Sequence, residues 1–98
     1  MEKSTNEAKN KDWVVYILRC NDNTLYTGVT NNIAKRLTTH NKGAASRYTR
    51  ARLPVKLLAA SRIMPKEEAL RLEIKIKKQP KNKKLDFLAN GRNIKQFM

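Results

Sequence analysis

Two short runs of β-forming residues with a turn between them constrain the fold of this chain most strongly. The first run extends from Trp13 to Arg19 and has the two-residue period of a strand. The second extends from Leu25 to Val29, and the turn-forming residues CNDNT lie between the two runs. The pattern predicts a β-hairpin with Tyr16 in its first strand and Tyr26 in its second.

The rest of the sequence predicts helices and one further strand. A helix is expected to begin at a cap on Thr30 or Asn31 and to end near Asn41. Pro65 suits the first turn of a second helix, which Pro80 ends. The fold class is therefore α/β, with the order ββαβαα and a small, mainly antiparallel three-stranded sheet flanked by helices. The other expected elements are a basic loop over residues 42–54, a strand over Val55–Ile63 and a short last helix over residues 81–89.

The length and composition predict one domain and no membrane span. A chain of 98 residues allows a single small core. No apolar stretch approaches the roughly 18 residues of a membrane span, so a cytoplasmic setting is expected. The single cysteine, Cys20, excludes an internal disulfide and a cysteine-rich zinc site. We expect a disordered polar tail over residues 1–12, the domain over residues 13–90 and a C-terminal tail over residues 91–98.

The charge of the chain predicts a polyanionic partner. Twenty-two lysines and arginines against eight acidic residues give a formal net charge of +14. Such a field attracts polyanions, of which nucleic acid is the commonest. A basic surface can also serve contact with a ribosome or a membrane without chemistry, and composition does not choose among these.

One carboxylate breaks the pattern of the helix that starts at Pro65. At about 100° per residue the apolar side chains form one continuous arc, and Glu73 falls near its centre. An unpaired charge that faces the protein is costly, so a cation must meet it. Two interpretations, an internal ion pair and a metal-binding or catalytic carboxylate, stay open on this feature alone. The arc consists of Ala69, Leu70, Leu72, Ile74 and Ile76.

Two polar residues of the earlier helix form a second group. Arg36 and His40 lie four residues apart, a spacing at which side chains project together. His40 is the only histidine of the chain, and a lone histidine is more often structural than catalytic. Its combination with Arg36, two tyrosines and the misplaced Glu73 favours a common site.

These stretches resemble the GIY-YIG nuclease family, and in particular its small, single-domain, largely uncharacterised members. The resemblance extends from Trp13 to Phe87 and rests on VVYILRCNDNTLYTG, NNIAKRLTTHNKG and EEALRLEIKIKK. Val14 stands where the first motif of the family name has glycine, and Thr27 stands where the second has isoleucine. The residues that carry the resemblance, in chain order, are Tyr16, Tyr26, Gly28, Arg36, His40 and Glu73.

The resemblance implies hydrolysis of a phosphodiester with one divalent metal ion, Mg²⁺ or Mn²⁺. Glu73 would be the only protein ligand of this ion, with waters and the substrate phosphate in the other positions. The ion would stabilise the leaving oxygen.

The resemblance also implies roles for the other motif residues. Tyr16 would activate the attacking water with His40 as proton acceptor, and Tyr26 would help to position the water or the phosphate. Arg36 would stabilise the charge that develops on the phosphorane oxygens and, with the metal, would lower the pKa of the Tyr16 phenol. Gly28 would let a phosphate approach the backbone closely.

Both tyrosines lie on one face of the hairpin only if the strands pair even-numbered residues with even-numbered ones. One such register places Tyr16 opposite Gly28 and Leu18 opposite Tyr26. A slip of one residue would send the two rings to opposite faces, and the sequence does not fix the register.

The basic loop predicts nucleic-acid contacts beside the site. Arg47, Arg50 and Arg52 contact phosphates in this interpretation, and Tyr48 stacks on a base. Lys77 belongs to a basic run at the end of its helix, for which incidental phosphate contact is expected. A solvated loop with no partner is the alternative.

The expected function is metal-dependent, endonuclease-like cleavage of DNA, with branched or damaged DNA among the candidate substrates. The alternative is a nucleic-acid-binding module that has the nuclease fold but little or no turnover. A basic protein associated with ribosomes or RNA is a third interpretation. DNA is the expected partner, RNA stays open, and no membrane or protein partner is indicated.

Overall fold

The computed structural model describes residues 12–90 and 95–96 of the chain. The tails expected over residues 1–12 and 91–98 therefore lie almost entirely outside the described residues. Within the described ranges no helix combines the length and the apolar character needed to cross a membrane.

The sheet is antiparallel and has the central strand order expected from the sequence. Strands β1 (Val14–Arg19) and β2 (Leu25–Thr30) form the hairpin, and β3 (Lys56–Ala60) pairs with the other edge of β1. The predicted three-stranded sheet is confirmed, with the order β2-β1-β3. A two-residue strand, β4 (Lys95–Gln96), continues the sheet beyond β3.

The helices follow the predicted order ββαβαα, with one short addition. Residues 42–54 are not the irregular loop that we expected, because they contain a four-residue helix. Its start was predictable in principle, since the side chain of Ser46 accepts a hydrogen bond from the Thr49 N–H in the manner of an N-cap. The helices are α1 (Ile33–Asn41), α2 (Arg47–Arg50), α3 (Lys66–Lys77) and α4 (Lys81–Asn90).

Two predicted boundaries are wrong by small amounts. The cap of α1 is Asn32, whose side chain accepts from the Lys35 N–H at 3.1 Å, and neither Thr30 nor Asn31 takes this role. Strand β3 ends at Ala60, short of the predicted Ile63. The irregular pairing that follows is completed by a side chain, since the N–H of Val15 donates to Ser61 Oγ at 2.9 Å.

The register of the hairpin decides where the tyrosines point. Tyr16 pairs with Gly28 and Leu18 pairs with Tyr26, so the register of like parity is the one that forms. Because side chains alternate along a strand, Tyr16 and Tyr26 lie on the same face of the sheet.

The opposite face of β1 carries the larger apolar core. Val15 and Ile17 are fully buried there against Ala69 and Ile76 of α3 and Leu88 of α4. Helices α3 and α4 therefore cover one face of the sheet.

The face with the tyrosines is closed by the segment between α1 and β3. Asn41 at the end of α1 holds the start of β3, because its amide accepts from the Val55 N–H at 2.8 Å and donates to the Val55 carbonyl at 3.1 Å. The segment is tied to the hairpin turn as well, since the Asn21 N–H donates to the Arg52 carbonyl at 2.9 Å. These bonds keep α2 next to the end of α1.

Candidate active site

Two tyrosines and the histidine form a compact aromatic cluster on this face. The centroid of the His40 ring lies 5.9 Å from that of Tyr16 and 5.1 Å from that of Tyr26, and both pairs are edge to face. The two tyrosine rings lie 6.4 Å apart. The hairpin supplies the tyrosines and the last turn of α1 supplies His40, so the cluster joins residues that are distant in the sequence.

A hydrogen bond links the first tyrosine to the histidine. Tyr16 Oη and His40 Nε2 are 2.9 Å apart. Tyr16 is 2% exposed and His40 is 1% exposed, so the bond is shielded from solvent. A buried tyrosine next to a buried imidazole is an arrangement that can move a proton along a defined path.

Glycine at position 28 is required by the Tyr16 ring. A Cβ atom built on Gly28 would lie 2.5 Å from Tyr16 Oη and 2.6 Å from Tyr16 Cζ, closer than non-bonded atoms approach. The missing side chain thus gives the phenol its place beside His40. The close approach of a phosphate to Gly28 stays a prediction.

The pKa of the Tyr16 phenol shifts in the direction opposite to our expectation. Burial raises this pKa most, Tyr26 and Glu73 raise it further, and only Arg36 lowers it. Arg36 does lower the pKa of the phenol as predicted, but desolvation of the phenolate raises this pKa by more. Tyr16 therefore holds its proton at neutral pH.

The pKa of His40 falls below its ordinary value. Burial of the ring is the main cause, and the positive charge of Arg36, one helical turn away, lowers it further. His40 is accordingly uncharged at neutral pH, with one ring nitrogen free to accept a proton. The neutral imidazole can accept a hydrogen bond from the protonated phenol, but both pKa shifts oppose full transfer of the proton from Tyr16 to His40.

The carboxylate of Glu73 is half-buried at the side of α3. Its side chain is 17% exposed and forms an i,i+4 ion pair with Lys77 at 3.2 Å. The apolar arc predicted around it is only partly buried: Ala69 and Ile76 are covered, whereas Leu70 and Ile74 are exposed. Glu73 thus lies towards the edge of the buried surface, and the cation that meets it is an exposed lysine of its own helix and not a buried one.

This ion pair leaves the carboxylate available to a stronger cation. Lys77 is 54% exposed, and exposed i,i+4 pairs contribute only about 0.3–0.5 kcal/mol. Among the described residues no three His, Cys, Asp or Glu side chains come together as a metal cage. Because Mg²⁺ keeps several waters and needs few carboxylates, Glu73 fits an ion held by one protein ligand.

Helix α2 places the predicted nucleic-acid contacts beside the cluster. Arg47, Tyr48 and Arg50 are exposed on it, and the Tyr48 ring stacks on Tyr26 with a centroid distance of 6.1 Å. Tyr48 extends the aromatic cluster to the surface.

Arg52 differs from the other two arginines of this segment. Its guanidinium lies 3.9 Å from the centroid of the Tyr48 ring and donates to the Tyr48 carbonyl at 2.9 Å. Its Nε donates to Asp22 at 3.0 Å. Arg52 therefore braces Tyr48 and the hairpin turn, and its phosphate contact stays a prediction.

Our sequence reasoning missed one residue of the cluster. Thr49, on the inner side of α2, is fully buried, and its Oγ1 lies 2.8 Å from His40 Nδ1. A capping pattern was available, since Ser46 precedes Thr49 by three residues as an N-cap precedes N3. That pattern indicates a helix start, but nothing in it points to His40.

Comparison with known proteins gives three results. The family profile of the GIY-YIG catalytic domain matches residues 12–86. UPF0213 proteins are similar over most of the chain: the one from Nitratidesulfovibrio vulgaris is 53% identical over 79% of this chain and 70% of its own. The UPF0213 protein from Streptococcus agalactiae serotype V is 46% identical over 81% of this chain and 90% of its own length. A UPF0213 protein from Bacillus halodurans, whose solution NMR structure is known, is 37% identical. The match covers 80% of this chain and 83% of that one, with a TM-score of 0.49.

Proposed function

The chain belongs to the GIY-YIG catalytic-domain family, and we propose that it is a divalent-metal-dependent endonuclease that hydrolyses DNA phosphodiesters. The family is a nuclease family, which gives the proposal its reaction class. The observation that carries it is the buried hydrogen bond of 2.9 Å between the Tyr16 phenol and the uncharged His40.

The proposed path of the proton begins at water. A water that attacks phosphorus gives its proton to Tyr16 Oη while the Tyr16 proton passes to His40 Nε2. The water oxygen forms the new P–O bond, and the bond from phosphorus to the leaving oxygen breaks with its electron pair on that oxygen, which takes a proton from solvent water. His40 ends as imidazolium and later returns its proton to solvent. Because burial raises the pKa of Tyr16, the two transfers are concerted and no free phenolate accumulates.

The other residues act on charge and position. Arg36 is half-buried near both Tyr16 and His40, where its fixed positive charge stabilises the negative charge that develops on the phosphoryl oxygens. Tyr26, edge to face with His40, limits the space in which the water and the phosphate lie. These contacts are made before the substrate arrives, so little reorganisation is needed during reaction.

The carboxylate of Glu73 would hold the divalent ion in place of its present partner, the ammonium of Lys77. When bound, the ion supplies stabilisation of the leaving oxygen. With the ion bound, Lys77 would be free of this carboxylate and could contact a neighbouring phosphate.

The substrate surface follows from charge and exposure. Arg47 and Arg50 are exposed on α2 beside the cluster, and the chain carries +14 overall. Phosphate contacts from such residues position the backbone without reading sequence. We therefore expect binding that depends strongly on salt and little on base sequence.

A cleavage assay tests the proposal. The purified protein is incubated with supercoiled plasmid and with a labelled branched duplex, in Mg²⁺, in Mn²⁺ and in a chelator. We expect cleavage with metal only, and we expect Glu73→Gln to abolish it while DNA binding persists. Glu67→Gln is the matched control, because Glu67 is an exposed carboxylate in the first turn of the same helix.

The outcome separates the proposal from its alternative. A wild-type protein that binds DNA with a steep salt dependence but cleaves neither substrate with any of these ions would be a binding module. Loss of folding in Glu73→Gln, together with a wild-type melt that ignores added Mg²⁺, would make Glu73 a structural ion-pair partner.

A further inference from the structure

The histidine of the cluster uses both of its ring nitrogens. Nε2 lies 2.9 Å from Tyr16 Oη, and Nδ1 lies 2.8 Å from Thr49 Oγ1. All three residues are at most 2% exposed, so the chain itself supplies both partners of the ring. A neutral imidazole donates from one nitrogen and accepts at the other, and its partners decide which.

Two assignments of hydrogens satisfy these distances. In the first, Tyr16 donates to Nε2 and Nδ1–H donates to Thr49. In the second, Thr49 donates to Nδ1 and Nε2–H donates to Tyr16. Only the first leaves Nε2 able to take a proton from Tyr16, so the proposed chemistry depends on which tautomer is present.

Acidity favours the first assignment. Burial raises the pKa of the Tyr16 phenol, but a phenol remains a stronger acid than an alkyl hydroxyl that is equally buried, so Tyr16 is the better donor and Thr49 the better acceptor. Thr49 also has an acceptor for its own hydrogen, because Ser46 Oγ lies 2.9 Å and the Ser46 carbonyl 3.4 Å from Thr49 Oγ1. The hydrogens of the Tyr16 hydroxyl, the His40 Nδ1–H and the Thr49 hydroxyl then each have an acceptor.

We propose that Thr49 is a positioning residue that accepts the Nδ1–H of His40, and so fixes the ring in the tautomer whose Nε2 accepts the proton of Tyr16. This role deepens the proposed function, because its catalytic consequence depends on that function. The tautomer itself does not.

The role explains why a four-residue helix occurs in the basic segment. Ser46 caps α2 and aligns Thr49 through a hydrogen bond of 3.1 Å from the Thr49 N–H. The same helix exposes Arg47, Tyr48 and Arg50 to solvent. One turn of helix therefore carries the predicted phosphate contacts outside and the support of His40 inside.

The test reads the tautomer directly. His40 is the only histidine, so the imidazole ¹⁵N signals of the protein belong to this ring without further assignment. At neutral pH we expect Nδ1 protonated and Nε2 unprotonated in the wild type. A wild-type spectrum with protonated Nε2 would overturn the proposal, whether or not the protein cleaves DNA.

Variants of Thr49 separate positioning from packing. Thr49→Val keeps the shape and removes the hydroxyl, so the ring should lose its preference for the Nδ1–H tautomer. Thr49→Ser restores the hydroxyl and should restore the tautomer. Thr38→Val is the control for the chemical change, because the Thr38 hydroxyl only donates to the Ala34 carbonyl of its own helix, at 3.1 Å.

The cleavage rate supplies the catalytic readout. Thr49→Val should cleave about ten- to a hundredfold more slowly at saturating protein, by analogy with the loss of the hydrogen-bond partner of a metal-ligating histidine. Thr49→Ser should recover most of the rate and Thr38→Val should keep all of it. A Thr49→Val protein that retains the wild-type tautomer and rate would reduce Thr49 to a packing residue. If the wild type shows the expected tautomer but cleaves nothing, the proposed function fails while the placement of His40 stands.

Discussion

The two faces of β1 share one backbone but differ in the partners that their buried side chains have. Val15 and Ile17 on one face belong to the apolar cluster under α3 and α4. Tyr16 on the other face is just as buried, yet its hydroxyl is hydrogen-bonded to a histidine whose other ring nitrogen is hydrogen-bonded to a threonine. Burial alone therefore does not distinguish a core residue from a functional one in this sheet. The distinction is whether the buried group has a polar partner that it can exchange protons with.

This comparison predicts that substitutions on the apolar face act on stability and those on the polar face act on reactivity. The largest effect is expected for Ile17→Ala. Ile17 is fully buried, and the cavity left by Ile→Ala substitutions lowers the free energy of unfolding by about 2–5 kcal/mol. Chemical denaturation measures the loss, and cleavage per folded molecule should stay at the wild-type level. A folded Ile17→Ala protein with a strongly reduced rate would break the division between the faces.

Tyr16→Phe makes the complementary change on the polar face. The ring and its packing stay, but the group that moves the proton is lost, so single-turnover cleavage should slow by roughly a hundredfold or more. The free energy of unfolding should fall by only about 1–3 kcal/mol, because one buried nitrogen of His40 loses its partner. Thr38→Val, which removes one hydroxyl that donates to the Ala34 carbonyl of its own helix, is the control and should leave the rate unchanged. Wild-type cleavage by Tyr16→Phe would return Tyr16 to the core.

Gly28→Ala tests whether the phenol needs its exact place, and a smaller effect on the cleavage rate is expected than for Tyr16→Phe. The added methyl would collide with Tyr16 Oη and Cζ and push the ring away from His40. Overpacking of this kind costs about 1–3 kcal/mol, and the cleavage rate should fall with the lost hydrogen bond. If displacement of the phenol is the cause, adding Gly28→Ala to Tyr16→Phe should slow cleavage no further. Additive losses would point to a separate role of Gly28 in phosphate approach.

The smallest and most gradual effect is expected from pH. The pKa of His40 is lowered in the folded protein by burial and by Arg36, so the unfolded chain binds a proton more readily than the folded one. Above about pH 6.5, the ordinary pKa of histidine, protonation of His40 should not reduce the free energy of unfolding. Below that pH the free energy of unfolding should decline as the pH falls. Thermal melts between pH 7 and 5 measure this slope. His40→Gln should flatten it, since no other histidine titrates in that range.

The strands and the longer helices could be predicted because their signals are local. The alternation of Trp13 to Arg19, the turn after it, and the prolines at positions 65 and 80 are each read within a few residues. The cap of α1 was placed one or two residues early because Thr30, Asn31 and Asn32 are all good caps, and only the path of the chain after β2 chooses among them.

The set of candidate residues was also visible in the sequence, through its resemblance to a nuclease family. Their neighbours were less accessible. Glu73 had to meet a cation, and the structure identifies Lys77, a partner one turn along the same helix. Thr49 could not be linked to His40, since their contact depends on how the segment between Asn41 and Val55 folds back.

The sequence by itself determined the hairpin, the order of the main elements and the surplus of positive charge, because these follow from residue type and short-range period. Only the tertiary structure decided the register that puts Tyr16 and Tyr26 on one face, and the sign of the pKa shift of the Tyr16 phenol. The sequence showed Arg36 and suggested a lowered pKa. The desolvation that outweighs Arg36 exists only once strands and helices from distant parts of the chain exclude water from the ring.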